Sequence, residues 1–212
     1  MVKNVLDLNI KIFADGADKA SMLELARLPF IKGFTTNPTL MHKAGVLDYA
    51  GFAKEVLAEI KDKPISFEVF SDDLREMEHQ ARIINGWAEN VYVKIPITNT
   101  KRESSFDLVK KLSGEGVKLN ITAILTVPQV EHIVGALSPK TPSIISVFAG
   151  RIADTGVNPV PIMKEAKAIT SQVPGCELLW ASPRQLLDIY HAARAGAEIV
   201  TVTSDILKKL EK

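Results

Sequence analysis

The sequence predicts one α/β domain, a single-domain (β/α)8 (TIM) barrel over residues 1–212 that ends in a short C-terminal helix. Two observations lead to this fold: β-like runs alternate strictly with helical patterns, and there are eight such runs. Strict alternation favours parallel strands joined by right-handed crossovers. At about 26 residues per unit the barrel is compact. A doubly wound open sheet is the alternative, and no linker or composition shift indicates a second domain.

The elements follow one another with Gly and Pro at the joins, as at Pro174 and Gly175. The predicted strands cover residues 9–15, 33–37, 65–70, 91–97, 118–124, 143–149, 177–182 and 199–204. The predicted helices cover residues 19–28, 48–61, 73–87, 104–112, 127–137, 161–172 and 185–195.

Composition narrows the functional classes. With 26 Lys and Arg against 25 Asp and Glu, the formal net charge of +1 gives no general field for nucleic acid or an anionic membrane. The single cysteine, Cys176, excludes an intrachain disulfide framework and a multi-cysteine metal site. No apolar run approaches the ~20 residues that span a bilayer, and the N-terminus opens no signal peptide. We therefore expect a cytoplasmic protein without a nucleic-acid or membrane partner.

Alternation within the strands places polar side chains inside the barrel. In residues 91–97 every second residue is apolar, whereas Tyr92, Lys94 and Pro96 form the opposite face. The outer face must be apolar to receive the helices, so the polar set points inward. A purely structural barrel core would carry Val, Ile and Leu there. The inward polar residues from five strands are Asp15, Glu68, Lys94, Asn120, Thr122 and Ser146.

Lys94 is the candidate nucleophile. An ammonium buried between Val93 and Ile95 is unfavourable, and a neutral amine in a barrel can attack a carbonyl to form a Schiff base. The structural alternative is a lysine that snorkels to the barrel mouth or pairs with Glu68. Asp15 and Glu68 could divide general acid and base work, or could both serve only as ion-pair partners of Lys94.

Two arginines at successive strand ends are candidates for holding an anion. Arg151 follows the sixth predicted strand, and Arg184 follows the seventh beside Ser182. Loops after late barrel strands commonly bind phosphate, and arginine can grip it bidentately. A lone surface arginine is usually a solvated charge, but two in these positions favour an anion site. The four histidines show no metal spacing and no Gly-rich phosphate motif follows a strand, so no metal or nucleotide cofactor is indicated.

Three segments resemble the transaldolase family, and the resemblance extends from about Lys11 to Leu207. Residues 33–39, GFTTNPT, are similar to the family's G-V/F-T-T-N-P-S/T segment. Residues 91–98, VYVKIPIT, resemble its Schiff-base lysine strand, and residues 119–123, LNITA, resemble its N-x-T-A strand. Their conjunction in this order on a barrel pattern is very specific.

The resemblance implies a transferase of the pentose phosphate pathway that works without cofactor or metal. It would move a dihydroxyacetone unit from a ketose phosphate, such as sedoheptulose 7-phosphate or fructose 6-phosphate, to an aldose phosphate. Lys94 would form the Schiff base, and Asp15 would be the acid/base at the bond that breaks. Glu68 and Thr122 would hold a proton-shuttling water. The implied substrate-binding residues are Thr36, Asn37, Asn120, Ser146, Phe148, Arg151, Ser182 and Arg184.

The chain departs from the family pattern at several points. In the segment Asp15-Gly16-Ala17-Asp18, Gly16 stands where the family has T/S, and Gln185 stands where the family has Asn. Only residues 205–212 follow the last predicted strand, whereas compact members continue with a further helix that helps assemble rings. We therefore expect a homo-oligomer smaller than a decamer.

Two alternative functions stay open. One is fructose 6-phosphate aldolase activity on the same scaffold, and the other is a catalytically silent barrel that binds sugar phosphates. Aldolase relatives carry tyrosine at the position of Phe148 and glutamine at that of Glu68, so both residues favour the transferase. An inward lysine with two carboxylates disfavours the silent barrel, because a binding protein needs no neutral amine.

Overall fold

The computed structural model describes residues 4–210, which form a closed barrel of eight parallel strands in sequence order. The barrel closes because β1 pairs with both β2 and β8. This confirms the predicted (β/α)8 fold and excludes the open sheet. The strands are β1 Lys11–Asp15, β2 Ile31–Thr35, β3 Ile65–Glu68, β4 Val91–Pro96, β5 Leu119–Ile124, β6 Ser143–Val147, β7 Cys176–Trp180 and β8 Ile199–Thr203.

Helices follow the strands around the outside of the barrel. Within residues 4–210 they are α1 Lys19–Ala26, α2 Pro38–Lys43, α3 Tyr49–Glu59, α4 Leu74–Asn85, α5 Phe106–Gly114, α6 Val127–Val134, α7 Ala149–Asp154, α8 Pro159–Thr170, α9 Leu187–Ala195 and α10 Ser204–Leu207. In this part of the chain, no helix has the length and apolar character needed to cross a bilayer.

The seven predicted internal helices correspond to α1, α3, α4, α5, α6, α8 and α9, and the short C-terminal helix to α10. Residues 1–3 and 211–212, which the predicted domain range includes, lie outside the described residues.

Two short helices, α2 and α7, were not predicted; α2 begins directly after a predicted strand, and α7 begins at the last residue of another. Asn37, predicted as a strand end, caps α2: its Oδ1 accepts a hydrogen bond from the Leu40 amide at 2.9 Å, and Pro38 occupies the first turn. Ala149, also predicted as strand, begins α7, and Arg151 therefore lies on a helix and not in a loop.

Side-chain caps define where several of the longer helices begin. Asp18, Asp48 and Asp73 each accept hydrogen bonds from backbone amides in the first turn of α1, α3 and α4. Thr126 and Gln129 form a reciprocal capping box at the start of α6. These side-chain hydrogen bonds fix the residue at which each of these helices begins.

The core has two parts, one outside and one inside the strand ring. Outward-facing strand residues pack against the helices in one large cluster. A second cluster, centred on Phe13, Ile144, Leu179 and Ile199, fills the inside of the barrel. Gly33 pairs with Phe13 across the β1–β2 register, and a Cβ at position 33 would lie 2.6 Å from the Phe13 ring. Glycine at this position therefore leaves space for the Phe13 ring inside the barrel. The polar inward side chains are left at the carboxyl ends of the strands.

Candidate active site

A cavity of about 650 Å³ opens at the carboxyl ends of the barrel strands. Residues in or directly after all eight strands contribute to its wall, as expected for a site in this fold. Of the predicted site residues, those that line it are Asp15, Asn37, Glu68, Lys94, Thr122, Ser146, Phe148, Arg151, Ser182 and Arg184. Thr36 and Asn120 do not line it.

Lys94 sits deep in this cavity, with 8 % of its surface exposed. Its Nζ lies 3.0 Å from Glu68 Oε2 and donates a hydrogen bond to the Thr36 carbonyl oxygen at 3.1 Å. The β3–β4 register places Glu68 directly opposite Lys94, so the ion pair follows from strand pairing. The ion pair between Lys94 and Glu68, which the sequence left open, is therefore present. It also puts a carboxylate where it can accept a proton from the amine.

Asp15 ends β1 beside two hydroxyl groups. Its Oδ1 accepts a hydrogen bond from Thr35 Oγ1 at 2.8 Å, and Thr35 Oγ1 is in turn hydrogen-bonded to Thr201 Oγ1. The carboxyl is partly exposed to the cavity but enclosed by the barrel wall. This removal from bulk water raises the pKa of Asp15 above its ordinary value, although Lys94 and the Thr35 hydrogen bond oppose the rise. Such a carboxyl is suited to exchanging protons.

Below the cavity, buried polar groups on β3, β5 and β6 bond to one another. Asn120 Nδ2 donates to Ser66 Oγ at 2.9 Å, and Ser146 Oγ donates to Asn120 Oδ1 at 2.6 Å. Asn120 is completely buried, and its partner Ser146 lines the cavity. Thr36 is also completely buried, and its hydroxyl donates to the Ser66 carbonyl at 2.9 Å. Both residues thus support the site from behind.

Thr122 presents a buried hydroxyl with no hydrogen-bond partner among the described residues. The β5–β6 register is irregular between Ile121 and Ile124, and Ala123 has a φ of 61°. A left-handed alanine in a strand is strained, and such strain is often held at functional sites. Because buried polar groups are normally satisfied, the Thr122 hydroxyl is available to a small polar ligand in the cavity.

The two arginines differ in their surroundings. The Arg184 guanidinium donates hydrogen bonds from Nε and Nη2 to the Asp154 carboxylate, with an Nε–Oδ2 distance of 3.1 Å. The backbone amide of Arg184 donates to Asp188 Oδ2 at 2.7 Å. Arg151, three residues before Asp154 on α7, makes no ion pair within residues 4–210. Arg151 is therefore the more available cation for an anionic ligand.

Close backbone packing brings these two arginines together. A Cβ on Gly150 would lie 1.6 Å from the Ser182 carbonyl oxygen, and the Gly150 amide donates to the Ala181 carbonyl at 3.2 Å. Ser182 adopts a φ of 58°, a left-handed conformation that is uncommon for serine. The start of α7 thus packs directly on the segment after β7, and only glycine permits this contact.

The cavity also contains residues that the sequence argument missed. They include Thr35, Lys43, Thr201, Thr203 and Asp205. Thr201 and Thr203 alternate along β8 in the same way as the inward residues of other strands, so the period-two pattern could have identified them. Lys43 ends the unpredicted helix α2, and nothing in strand periodicity could have placed it.

The barrel and its cavity together define a class of protein: a (β/α)8 enzyme with a lysine and two carboxylates at the carboxyl ends of its strands.

Comparisons with known proteins narrow this class. Residues 12–212 match the model of the family described as Transaldolase/Fructose-6-phosphate aldolase. A "Probable transaldolase" of Lactiplantibacillus plantarum is 36% identical over 95% of this chain and 88% of its own length. One from Thermoplasma volcanium is 34% identical over 96% and 88%. The chain belongs to the transaldolase/fructose-6-phosphate aldolase family.

Solved structures agree on the fold at low sequence identity. A Burkholderia cenocepacia J2315 structure superposes with a TM-score of 0.65 at 14% identity, covering 94% of this chain and 78% of its own. Mandelate oxidase superposes with a TM-score of 0.62 at 16% identity, covering 91% and 64%. These two likenesses concern the barrel alone.

Proposed function

We propose that this protein is a transaldolase that carries a dihydroxyacetone unit on Lys94 as a Schiff base. The donor is a ketose phosphate such as fructose 6-phosphate or sedoheptulose 7-phosphate, and the acceptor is an aldose phosphate. The observation that carries the proposal is the enclosed Lys94 amine, 3.0 Å from Glu68 in the cavity that also contains Asp15. Relatives named transaldolase at about the same chain length support it.

The first half of the reaction builds the Schiff base. Glu68 accepts a proton from the Lys94 ammonium, and the neutral amine attacks the C2 carbonyl carbon of the ketose. A second proton passes from the attacking nitrogen to the new alkoxide, which gives the neutral carbinolamine. Glu68 returns the proton to the carbinolamine hydroxyl, by way of a water held with Thr122, and this hydroxyl leaves as water. The product is an iminium ion that can accept an electron pair.

The second half breaks and remakes a carbon–carbon bond. Asp15, as the carboxylate, takes the proton from the C4 hydroxyl, and the C3–C4 bond electrons move into the iminium to give an enamine on Lys94. The aldose phosphate product departs. An acceptor aldehyde is then attacked by the enamine carbon, Asp15 gives its proton to the new alkoxide, and hydrolysis of the iminium frees Lys94.

The phosphate of donor and acceptor binds at the arginine side of the cavity in this proposal. Arg151 supplies a cation that makes no ion pair within residues 4–210, and Ser182 and Arg184 lie beside it in the cavity wall. Because Asp154 already occupies one edge of the Arg184 guanidinium, Arg151 contributes more of the attraction.

We expect Arg151→Ala to raise KM for fructose 6-phosphate more than Arg184→Ala does. Loss of a charge-assisted contact costs ~1.5–3 kcal/mol, which is roughly tenfold or more in KM. Free dihydroxyacetone has no phosphate and serves as the internal control in the same steady-state assay. Equal losses on both donors would argue against phosphate binding here.

Acceptor dependence separates transfer from simple cleavage. Phe148 lines the cavity and has no hydroxyl with which to order a protonating water near the enamine carbon. We therefore expect fructose 6-phosphate turnover to require an acceptor such as erythrose 4-phosphate, and Phe148→Tyr to raise the acceptor-free rate. The readout is glyceraldehyde 3-phosphate release with and without acceptor. Equally fast acceptor-free release by the wild-type protein would identify an aldolase instead.

Borohydride trapping tests the Schiff base on Lys94, which transfer and simple cleavage share. Incubation with fructose 6-phosphate and borohydride should leave a reduced adduct on Lys94 and on no other lysine, located by peptide mass mapping. An unmodified Lys94 in protein that still binds the sugar phosphate would favour the silent sugar-phosphate-binding barrel.

A further inference from the structure

Thr201 lies inside the barrel, one inward layer below Asp15. The β1–β8 register pairs Thr201 with Phe13 and Thr203 with Asp15, whereas the β1–β2 register pairs Asp15 with Thr35. Thr35 and Thr201 therefore come from the two strands that flank β1. Both are buried, with 2 % and 6 % of their surfaces exposed, and their hydroxyls meet inside the barrel.

The hydrogen bonds in this group have a defined direction. An ionised carboxylate has no proton, so Thr35 donates its single hydroxyl proton to Asp15 Oδ1 at 2.8 Å. Thr35 can then only accept from Thr201, and Thr201 must be the donor between the two hydroxyls. Donation into Thr35 polarises its own hydroxyl and strengthens the bond that Thr35 makes to Asp15.

From this geometry we infer that Thr201 is a positioning residue: through Thr35, it orients the acid/base carboxylate of Asp15 and stabilises its charged form. This inference rests on the proposed function, in which Asp15 must be ionised to take the C4 hydroxyl proton. The hydroxyl of Thr201 reaches Asp15 through Thr35 and not directly.

Other charged groups around Asp15 also affect its ionisation. Lys94 from β4 favours the charged carboxylate, and Glu68 from β3 opposes it. Further charged groups in the same cavity are Lys43, Arg151, Arg184 and Asp205. All of these stay in place when a threonine hydroxyl is removed, so a threonine variant isolates the contribution of the hydrogen bonds.

The test is the pH profile of kcat/KM for fructose 6-phosphate with saturating acceptor, measured on Thr201→Val, Thr201→Ser and Thr35→Val. The acidic limb reports ionisation of the base in the free enzyme. Loss of a donor to the charged form moves this limb to higher pH. For Thr201→Val we expect a shift of about half a pH unit, or roughly threefold in rate below the limb. Thr35→Val should shift it further, and Thr201→Ser should restore the wild-type limb.

Thr141→Val is the matched control, because it removes a buried threonine hydroxyl that bonds to the Ser113 carbonyl outside the cavity. It should leave the limb unchanged even if thermal stability falls. Thr201→Cys, whose thiol is a weak donor, replaces the valine variant if that variant does not fold, and should give a smaller shift.

The inference would be overturned if the acidic limb of folded Thr201→Val or Thr201→Cys lay at the same pH as in the wild-type protein. A shift of the same size in Thr141→Val would also overturn it. Borohydride trapping on each variant keeps the two proposals apart. An adduct on Lys94 with an unmoved limb refutes only the role of Thr201, whereas no adduct in the wild-type protein refutes the proposed function.

Discussion

Lys94→Met is expected to lose turnover by about 10⁴-fold or more while the barrel stays folded. Methionine has a similar length but no amine, so neither the Schiff base nor its electron sink can form. The substitution leaves the Glu68 carboxylate without its cation, and a moderate fall in thermal stability should accompany the loss of rate.

Lys11→Met is the matched control for this variant. Lys11 also lies on a barrel strand and also pairs with a glutamate, Glu177, at 2.6 Å, but it does not line the cavity. The assay is acceptor-dependent transfer from fructose 6-phosphate, with melting temperature recorded for both variants. Near-normal turnover in Lys94→Met, or an equal loss in Lys11→Met, would contradict the mechanism.

Asp15→Asn is expected to lower the transfer rate by about 10²–10⁴-fold and to raise stability at neutral pH. The amide cannot accept the C4 proton, although its oxygen can still accept the Thr35 hydrogen bond. Burial raises the pKa of Asp15 above 3.8, so the folded state disfavours the ionised form relative to the unfolded chain. An uncharged isostere removes that penalty.

The pH dependence of this gain has a defined sign. Between pH 3.8 and the higher pKa of the folded state, the folded protein binds more protons at Asp15 than the unfolded chain does, so stability decreases as pH rises through this window. Asp15→Asn lacks this decrease. Its melting temperature relative to wild type should therefore be higher at pH 8 than near pH 4. A relative melting temperature that falls from pH 4 to pH 8 would show that the Asp15 charge stabilises the fold.

The sequence predicted the inward polar residues because alternation along a strand is geometric. Lys94 and Glu68 could be placed side by side in this way, since adjacent parallel strands align their inward residues. Alternation does not show, however, how far below the barrel mouth an inward side chain lies. Asn120 and Thr122 share a face of β5, yet only Thr122 lines the cavity.

The pairing of Arg184 with Asp154 could not be predicted, because it depends on α7, a six-residue helix. In the sequence, the start of α7 reads as the end of a strand. By contrast, the start of α2 could have been predicted, because Asn37 before Pro38 is a favoured combination of N-cap and first-turn residue.

The contact between Gly150 and Ser182 also limits how this cavity can be redesigned. The backbones at residues 150 and 182 pack so closely that neither can move without the other. Directed evolution could therefore not replace Gly150 with a residue that has a Cβ atom. A graft from a relative would have to import α7 together with the segment between β7 and α9. Exchange of either part alone would misalign Arg151 against Arg184 and disrupt the proposed phosphate site.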